Sequence, residues 1–415
     1  MDKRRSKLIV LLAAVCCGVV LAACSGGKTD KAGAGRAGQQ AKADEIDTAL
    51  RSRLAEFAAT PRTSGKFGLY VYDLTAEKPV YGYKENDVQP SASCMKLLSG
   101  VAGLHLLGSD YKYSNAVYMR GRVASGGKLM GDLAFVVGLD PQLEAVDLAK
   151  LSSAVRQKGI KSIAGRLIVN TTVKEPVKSE QHWYPWDLSF SKYGLPYKGA
   201  PLVEKTVKAS LRAHGVAVAD SQVVAGRMPR GVKLLAKTER PITDVIQRMW
   251  KNSSNTQATA MLYTIGNRAN PDESPEVAGV AYLRKFLRNE VGEKNPAISI
   301  HDGCGLCVYN KLSPKSLVEI LRYGYRDKDI RPVLNSCLAI AGVDGTLARA
   351  MTNPQIRGKV RAKTGTLSHP YGISSLAGFC QASNGHTLAF AIMDSEMSVL
   401  DARVLQRRLA EAMVK

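Results

Sequence analysis

Three short polar motifs in a fixed order constrain this chain more than any other feature: Ser93-Cys94-Met95-Lys96, Ser253-Ser254-Asn255 and Lys363-Thr364-Gly365. A serine and a lysine three positions apart share one helix face, where a desolvated amine can take the hydroxyl proton. The spacing alone says little, because Ser-x-x-Lys also begins at Ser25, Ser109, Ser125 and Ser189. Only Ser93 opens a sustained apolar pattern: Pro90-Ser91-Ala92 leads in, and Leu97, Leu98, Val101, Ala102, Leu104 and Leu107 follow. That run predicts a buried core helix, and burial lowers a lysine's pKa toward the neutrality a general base needs. The other two motifs each occur once. Ser253-Ser254-Asn255 precedes Thr256 to Leu262 and reads as the head of a helix, where serine is also a common cap. Lys363-Thr364-Gly365-Thr366 follows Val360, Arg361 and Ala362, and its glycine lets backbone lie close to a ligand on an edge strand.

The 160 positions between Ser93 and Ser253 leave room for an inserted domain, expected over residues 113–226. Residues 45–112 and 227–415 then form the domain that carries all three motifs. Periodicity predicts a first helix from about Glu45 to Ala58, a hairpin over Phe67 to Tyr83 and the Ser93 helix. Helical stretches follow at Ile242 to Ile265, Val277 to Val291 and Ser313 to Tyr323. Strands are expected at Lys359 to Ser368, Ser374 to Gln381 and Thr387 to Asp394, before a last helix from Val399 to Met413. Late hairpins with helices at both ends imply an α/β (α+β) chain, an antiparallel sheet flanked by helices.

The N-terminus is read as an export signal. Lys3, Arg4, Arg5 and Lys7 precede an uncharged apolar run from Leu8 to Ala23, short for a membrane span of ~20 residues but suited to a signal-peptide core. It ends Leu21-Ala22-Ala23-Cys24, which resembles a bacterial lipobox, so Cys24 becomes the lipidated first residue after a signal over residues 1–23. Residues 24–44, poor in bulky side chains, read as a flexible tether. Ser25 after the cysteine resembles the outer-membrane sorting preference of periplasmic lipoproteins. The formal charge is +22, and without residues 1–23 the chain keeps 54 basic and 35 acidic residues, about +19. Such a charge suits polyanions. With no zinc-finger spacing, aromatic RNA-binding signature or helix-turn-helix pattern, it is read as affinity for an anionic extracytoplasmic matrix, with no nucleic-acid partner.

Of eight cysteines, Cys94, Cys304, Cys307, Cys337 and Cys380 lie beyond Cys24. Five cannot all pair within the chain. Cys304-Gly305-Leu306-Cys307 has CxxC spacing, open to a local disulfide, to half a metal site or to two thiols on a turn. No second CxxC or His pair completes a tetrahedral site, and neither metal nor cofactor is expected.

With these residues in view, the chain resembles the penicillin-binding protein 4 type of D-alanyl-D-alanine carboxypeptidase/endopeptidase, within the serine penicillin-recognising enzymes. The likeness runs from about residue 45 to the C-terminus. It includes Gly68 to Leu74, Pro79-Val80-Tyr81, Gly131-Asp132-Leu133, Gly138-Leu139-Asp140-Pro141, Gly159-Ile160 leading to Gly165-Arg166-Leu167, and Ala341-Gly342-Val343-Asp344-Gly345-Thr346-Leu347. Asp302 to Asn310 resembles the family's Asp-Gly-Ser-Gly-Leu-Ser-Arg-x-Asn stretch, but Cys304 and Cys307 replace both serines and Val308 replaces the arginine. The insertion is shorter than in the longest members, with a reduced segment expected near Tyr193 to Lys205.

The resemblance implies a beta-lactamase/transpeptidase-like fold and an acyl-enzyme at Ser93. Lys96 is the base and Ser253 relays the proton to the leaving amine. Asn255 orients the lysine and the acyl amide, while Lys363 and Thr364, with Thr366, hold the terminal carboxylate. Backbone N–H groups of Ser93 and Thr366 form the oxyanion hole. The implied partners are peptidoglycan stem peptides, beta-lactam antibiotics and, through Cys24, the membrane. Two rival readings are a beta-lactamase, for which no glutamate placed for fast deacylation is identified, and a non-catalytic wall-binding lipoprotein.

Overall fold

The structure, a computed structural model, describes residues 47–415 apart from 63, 179–182, 184–192 and 369–371. The expected signal, the tether, Cys24 and the tetrads at Ser25 and Ser189 lie outside the described residues. Of the remaining tetrads, Ser109 falls in a turn after the Ser93 helix and Ser125 in a Gly126-Gly127 hairpin turn.

Strands are numbered along the chain: β1 Lys66–Asp73, β2 Lys78–Tyr83, β3 Gln89–Pro90, β4 Lys112–Val123, β5 Lys128–Val137, β6 Ser162–Ile163 and β7 Leu167–Thr171. There follow β8 Val223–Ala225, β9 Lys233–Pro241, β10 Lys311–Leu312, β11 Ala339–Ile340, β12 Val360–Leu367, β13 Ile373–Gln381 and β14 Thr387–Ser395. The principal sheet has the order β11-β12-β13-β14-β1-β2, and every pairing in it is antiparallel. Early and late parts of the described chain meet here, because β1 pairs with β14 from Lys66↔Ser395 to Asp73↔Leu388.

Strand alternation sorts the side chains onto two cores. Leu69, Val71, Val360, Ala362, Leu376, Leu388, Phe390 and Ile392 face the first helix, Thr48–Ala59, and the last, Val399–Val414. Tyr70, Tyr72, Ala377, Phe379, Ala389, Ala391 and Met393 face the helical layer on the other side. By the same alternation Thr364 and Thr366 share the face of Ala362, whereas Lys363 and Gly365 turn toward the helical layer. This parity decides what each motif residue can touch.

The nucleophile helix, Met95–Leu107, lies at the centre of that layer and is buried from Met95 through Leu104. It packs against helices Ile242–Lys251, Asn255–Ala269 and Pro314–Arg326. Trp250 locks it, donating its indole N–H to the Lys96 carbonyl at 2.7 Å. A Cβ on Gly100 would stand 2.4 Å from Trp250 Cζ2, so the two helices approach only because position 100 carries no side chain. The predicted stretch Ile242 to Ile265 is two helices, broken at residues 252–254, and helix Ile330–Cys337 was not anticipated.

A second, mixed sheet has the order β8-β7-β5-β4-β9, with β6 beside β5. Helices Ala145–Gln157 and Ala200–Ala213 cover it, burying Leu148, Leu151, Val155, Val203, Val207 and Leu211 against Phe135, Leu167 and Val169. This sheet does not end at Gly226, where the sequence reading closed the insertion. β9 pairs with β4 from Lys112↔Pro241 to Met119↔Lys233 and completes it. The strand was hidden because all its residues are exposed or half-buried and four of the nine are charged, so it lacks the apolar alternation of a covered strand.

Candidate active site

The polar motifs meet where the N-terminus of the nucleophile helix abuts β12. Ser93 sits in a 3₁₀ turn, Ala92–Cys94, that feeds the α-helix beginning at Met95, slightly later than the sequence suggests. Ala92 holds a left-handed φ of +44° and Ser253 one of +58°. Non-glycine residues rarely adopt such values, and here one directly precedes Ser93 and the other is Ser253 itself, the two serines that line the cleft. Two close approaches keep the turn in place. Gly305, at φ +85°, lies where a Cβ would meet the Ala92 carbonyl, and a Cβ on Gly365 would stand 2.1 Å from Ser375 Oγ and 2.9 Å from the Ser91 carbonyl. Ser375 Oγ–H donates to that same carbonyl at 2.8 Å.

Lys96 is fully buried and its Nζ has three partners. Nζ donates to Ser93 Oγ at 2.7 Å, to Asn255 Oδ1 at 2.7 Å and to the Cys304 carbonyl at 2.5 Å. Burial pushes its pKa down, against the raising influence of Cys304 and Asp302. Ser254 caps helix Asn255–Ala269 by accepting from the Gln257 N–H, which leaves Asn255 at the first turn, aimed at Lys96. The capping role and the chemical role therefore belong to adjacent residues of one motif.

Lys363 is also fully buried, and its Nζ donates to Ser253 Oγ at 2.8 Å and to the Thr364 carbonyl at 2.6 Å. Burial, reinforced by the neighbouring charge of Lys96, brings its pKa down to about 7. Two serine–lysine pairs thus stand side by side, Ser93 with Lys96 and Ser253 with Lys363. Ser93, Ser253, Thr364, Gly365 and Thr366 line a single cavity of about 660 Å³. Thr364 Oγ1 donates across it to Thr346 Oγ1 at 2.8 Å.

Cys94 does not reach the cavity. Its Sγ donates to the Lys363 carbonyl at 3.3 Å, and burial pushes the thiol's pKa up, so it supports β12 from behind. The divergent Asp302 to Asn310 stretch acts through backbone. Both Asp302 carboxylate oxygens accept N–H groups of its own loop, and the loop points the Cys304 carbonyl at Lys96. A serine-to-cysteine change leaves that carbonyl in place, which explains how the substitution is tolerated. Cys304 and Cys307 stand there as buried thiols. Sequence reasoning missed the carbonyl, the Trp250 brace and the Ser91–Ser375 bond. The Asp302 motif was the available signal for the first, but it points to side chains rather than to backbone.

Comparison with known proteins agrees with this geometry. The model of the D-Ala-D-Ala carboxypeptidase 3 (S13) family matches residues 50–202 and 196–414. The chain is 21% identical to D-alanyl-D-alanine carboxypeptidase DacB of Haemophilus influenzae, over 78% of this chain and 84% of that protein. It is 22% identical to a D-alanyl-D-alanine carboxypeptidase of Actinomadura, over 84% of this chain and 81% of that one. The crystal structure of penicillin binding protein 4 from H. influenzae superposes with a TM-score of 0.72 at 19% identity, covering 86% of this chain and 97% of the other. The two sheets, the paired serines and lysines, and the match along nearly the whole described chain agree: the protein belongs to the D-Ala-D-Ala carboxypeptidase 3 (S13) family of serine carboxypeptidases.

Proposed function

We propose that Ser93 is the nucleophile that cleaves D-alanyl-D-alanine ends and cross-links of peptidoglycan stem peptides. The observation that carries this reading is the 2.7 Å bond between Ser93 Oγ and a fully buried Lys96 whose pKa burial lowers. Lys96 takes the hydroxyl proton as Oγ attacks the carbonyl between the two D-alanines. A C–O bond forms, the C–N bond breaks, and the leaving amine collects a proton through Ser253, to which Lys363 Nζ donates at 2.8 Å. Asn255 holds Lys96 and the acyl amide. Backbone N–H groups of Ser93 and Thr366, both lining the cavity, receive the oxyanion. Lys363, Thr364 and Thr366 form the end of the cleft where the terminal carboxylate rests. Water then releases the acyl group.

A beta-lactam, which mimics the dipeptide, acylates the same serine, and the H. influenzae relative has been crystallised with one. The basic, apolar and Leu21-Ala22-Ala23-Cys24 segments support export to the periplasm and lipid anchoring at Cys24, and Ser25 beside the cysteine supports the outer membrane as its site. The test is Ser93→Ala: covalent labelling by a fluorescent penicillin and release of D-alanine from a pentapeptide both vanish. Undiminished labelling of the variant refutes the assignment.

A further inference from the structure

The cavity that holds Ser93 and Ser253 continues past Thr364 and Thr366 onto a wall that the release of one D-alanine does not need. That wall carries Arg349, Arg403 and Arg407. Parity along β12 puts Thr364 and Thr366 on the face covered by the last helix, and Arg403 and Arg407, one turn apart on that helix, stand over it. Arg349 follows the 3₁₀ turn Gly345–Leu347, whose Thr346 accepts from Thr364. All three are exposed, and among the described residues none forms an ion pair. Glu411, one turn beyond Arg407, instead accepts from Asn353 at 2.8 Å. Like charges four positions apart weaken a helix, so two uncompensated arginines on a cavity wall are a cost without an anionic ligand. The buried lysines do not serve a second carboxylate, because Lys96 is engaged with Ser93 and Lys363, bonded to Ser253, is taken up with the terminal one. Arginine stays charged and matches carboxylates two-pronged.

We infer that Arg349, Arg403 and Arg407 form a leaving-group subsite that favours substrates whose departing half carries two or more carboxylates. The second stem peptide of a cross-link fits this description, and a single D-alanine, with one carboxylate, does not use the wall. The cavity, at about 660 Å³, is of the size that takes ligands much larger than one amino acid. This inference rests on the reading of Ser93 as nucleophile, which fixes which half departs.

Two measurements test it. First, a free stem tripeptide and D-alanine are titrated into Ser93→Ala protein with and without Arg403→Gln and Arg407→Gln. We expect tripeptide affinity to fall roughly tenfold, the scale of losing one or two charge-assisted pairs, with little change for D-alanine. Second, kcat/KM is compared on a cross-linked stem dimer and on a D-alanine-ended pentapeptide. The dimer falls by about the same factor, mainly through KM and most at low salt, whereas pentapeptide turnover and penicillin labelling stay within about twofold. Unchanged tripeptide affinity, or equal losses on both substrates, overturns the inference. A wrong nucleophile would appear as persistent labelling of Ser93→Ala, a result independent of the tripeptide titration.

Discussion

Replacing Asp302 by asparagine changes one atom and tests how the base is held. The residue is fully buried. Its Oδ1 accepts from the Cys304 N–H at 2.9 Å and the Gly305 N–H at 2.6 Å, and its Oδ2 from the Cys307 N–H at 2.8 Å and Trp183 Nε1–H at 2.9 Å. Asparagine keeps one acceptor oxygen and turns an NH2 group toward two of these donors. Orphaning two buried donors at ~1–3 kcal/mol each, and weakening the two bonds that remain, gives an expected loss of about 4 kcal/mol. That is a large fraction of the ~5–15 kcal/mol by which domains are stable. The same loop carries the carbonyl that receives Lys96 Nζ, so the serine loses reactivity as well. Denaturant unfolding read by linear extrapolation measures the first effect, and the rate of labelling by a fluorescent penicillin at low denaturant measures the second. We expect labelling to slow at least tenfold, the equivalent of ~1.4 kcal/mol in the barrier. A variant within about 1 kcal/mol of the parent that labels at the parental rate would refute the idea that this carboxylate organises the site.

Two pH effects follow from buried charges. Burial and the adjacent Lys96 charge bring Lys363 to about 7, so below that pH two ammonium groups crowd the serines and Lys96 is less able to accept a proton; the acylation rate should rise with pH through about 7, and a flat profile from acid to neutral pH would contradict this. Burial lifts Asp394 from 3.8 to about 7 despite its bond from Gln406 and the charge of Arg62. Its folded pKa lies above its unfolded one, so the stability it contributes is complete below pH ~4 and lost as pH rises through 7, in total roughly 4 kcal/mol at 1.36 kcal/mol per pH unit. Asp394→Asn should flatten the denaturation midpoint between those pH values and raise it at pH 8; an unchanged pH dependence would count against the assignment.

Much of this was legible in advance because it is local. The apolar run after Ser93, the cap at Ser254 and the alternation of β12 to β14 are short-range patterns, and they placed the helix, the second motif and the late strands within a few residues of where they lie. β9 was missed for the complementary reason: its polar, half-exposed residues find their partner in β4, more than a hundred positions earlier, and nothing nearby announces the pairing.

The sequence by itself singled out the hydroxyl, amine and amide side chains that meet at the cleft, since they stand in that order and are flanked by apolar helix and strand. Tertiary structure alone decided their protonation and their reach. Burial lowers the pKa of both Lys96 and Lys363, and Cys304 contributes through a backbone carbonyl that any residue would carry. The parity of β12 and the last helix bring Arg403 and Arg407 over Thr364 and Thr366. Burial, carbonyl direction and the meeting of distant faces depend on how the elements pack, and no spacing along the chain encodes them directly.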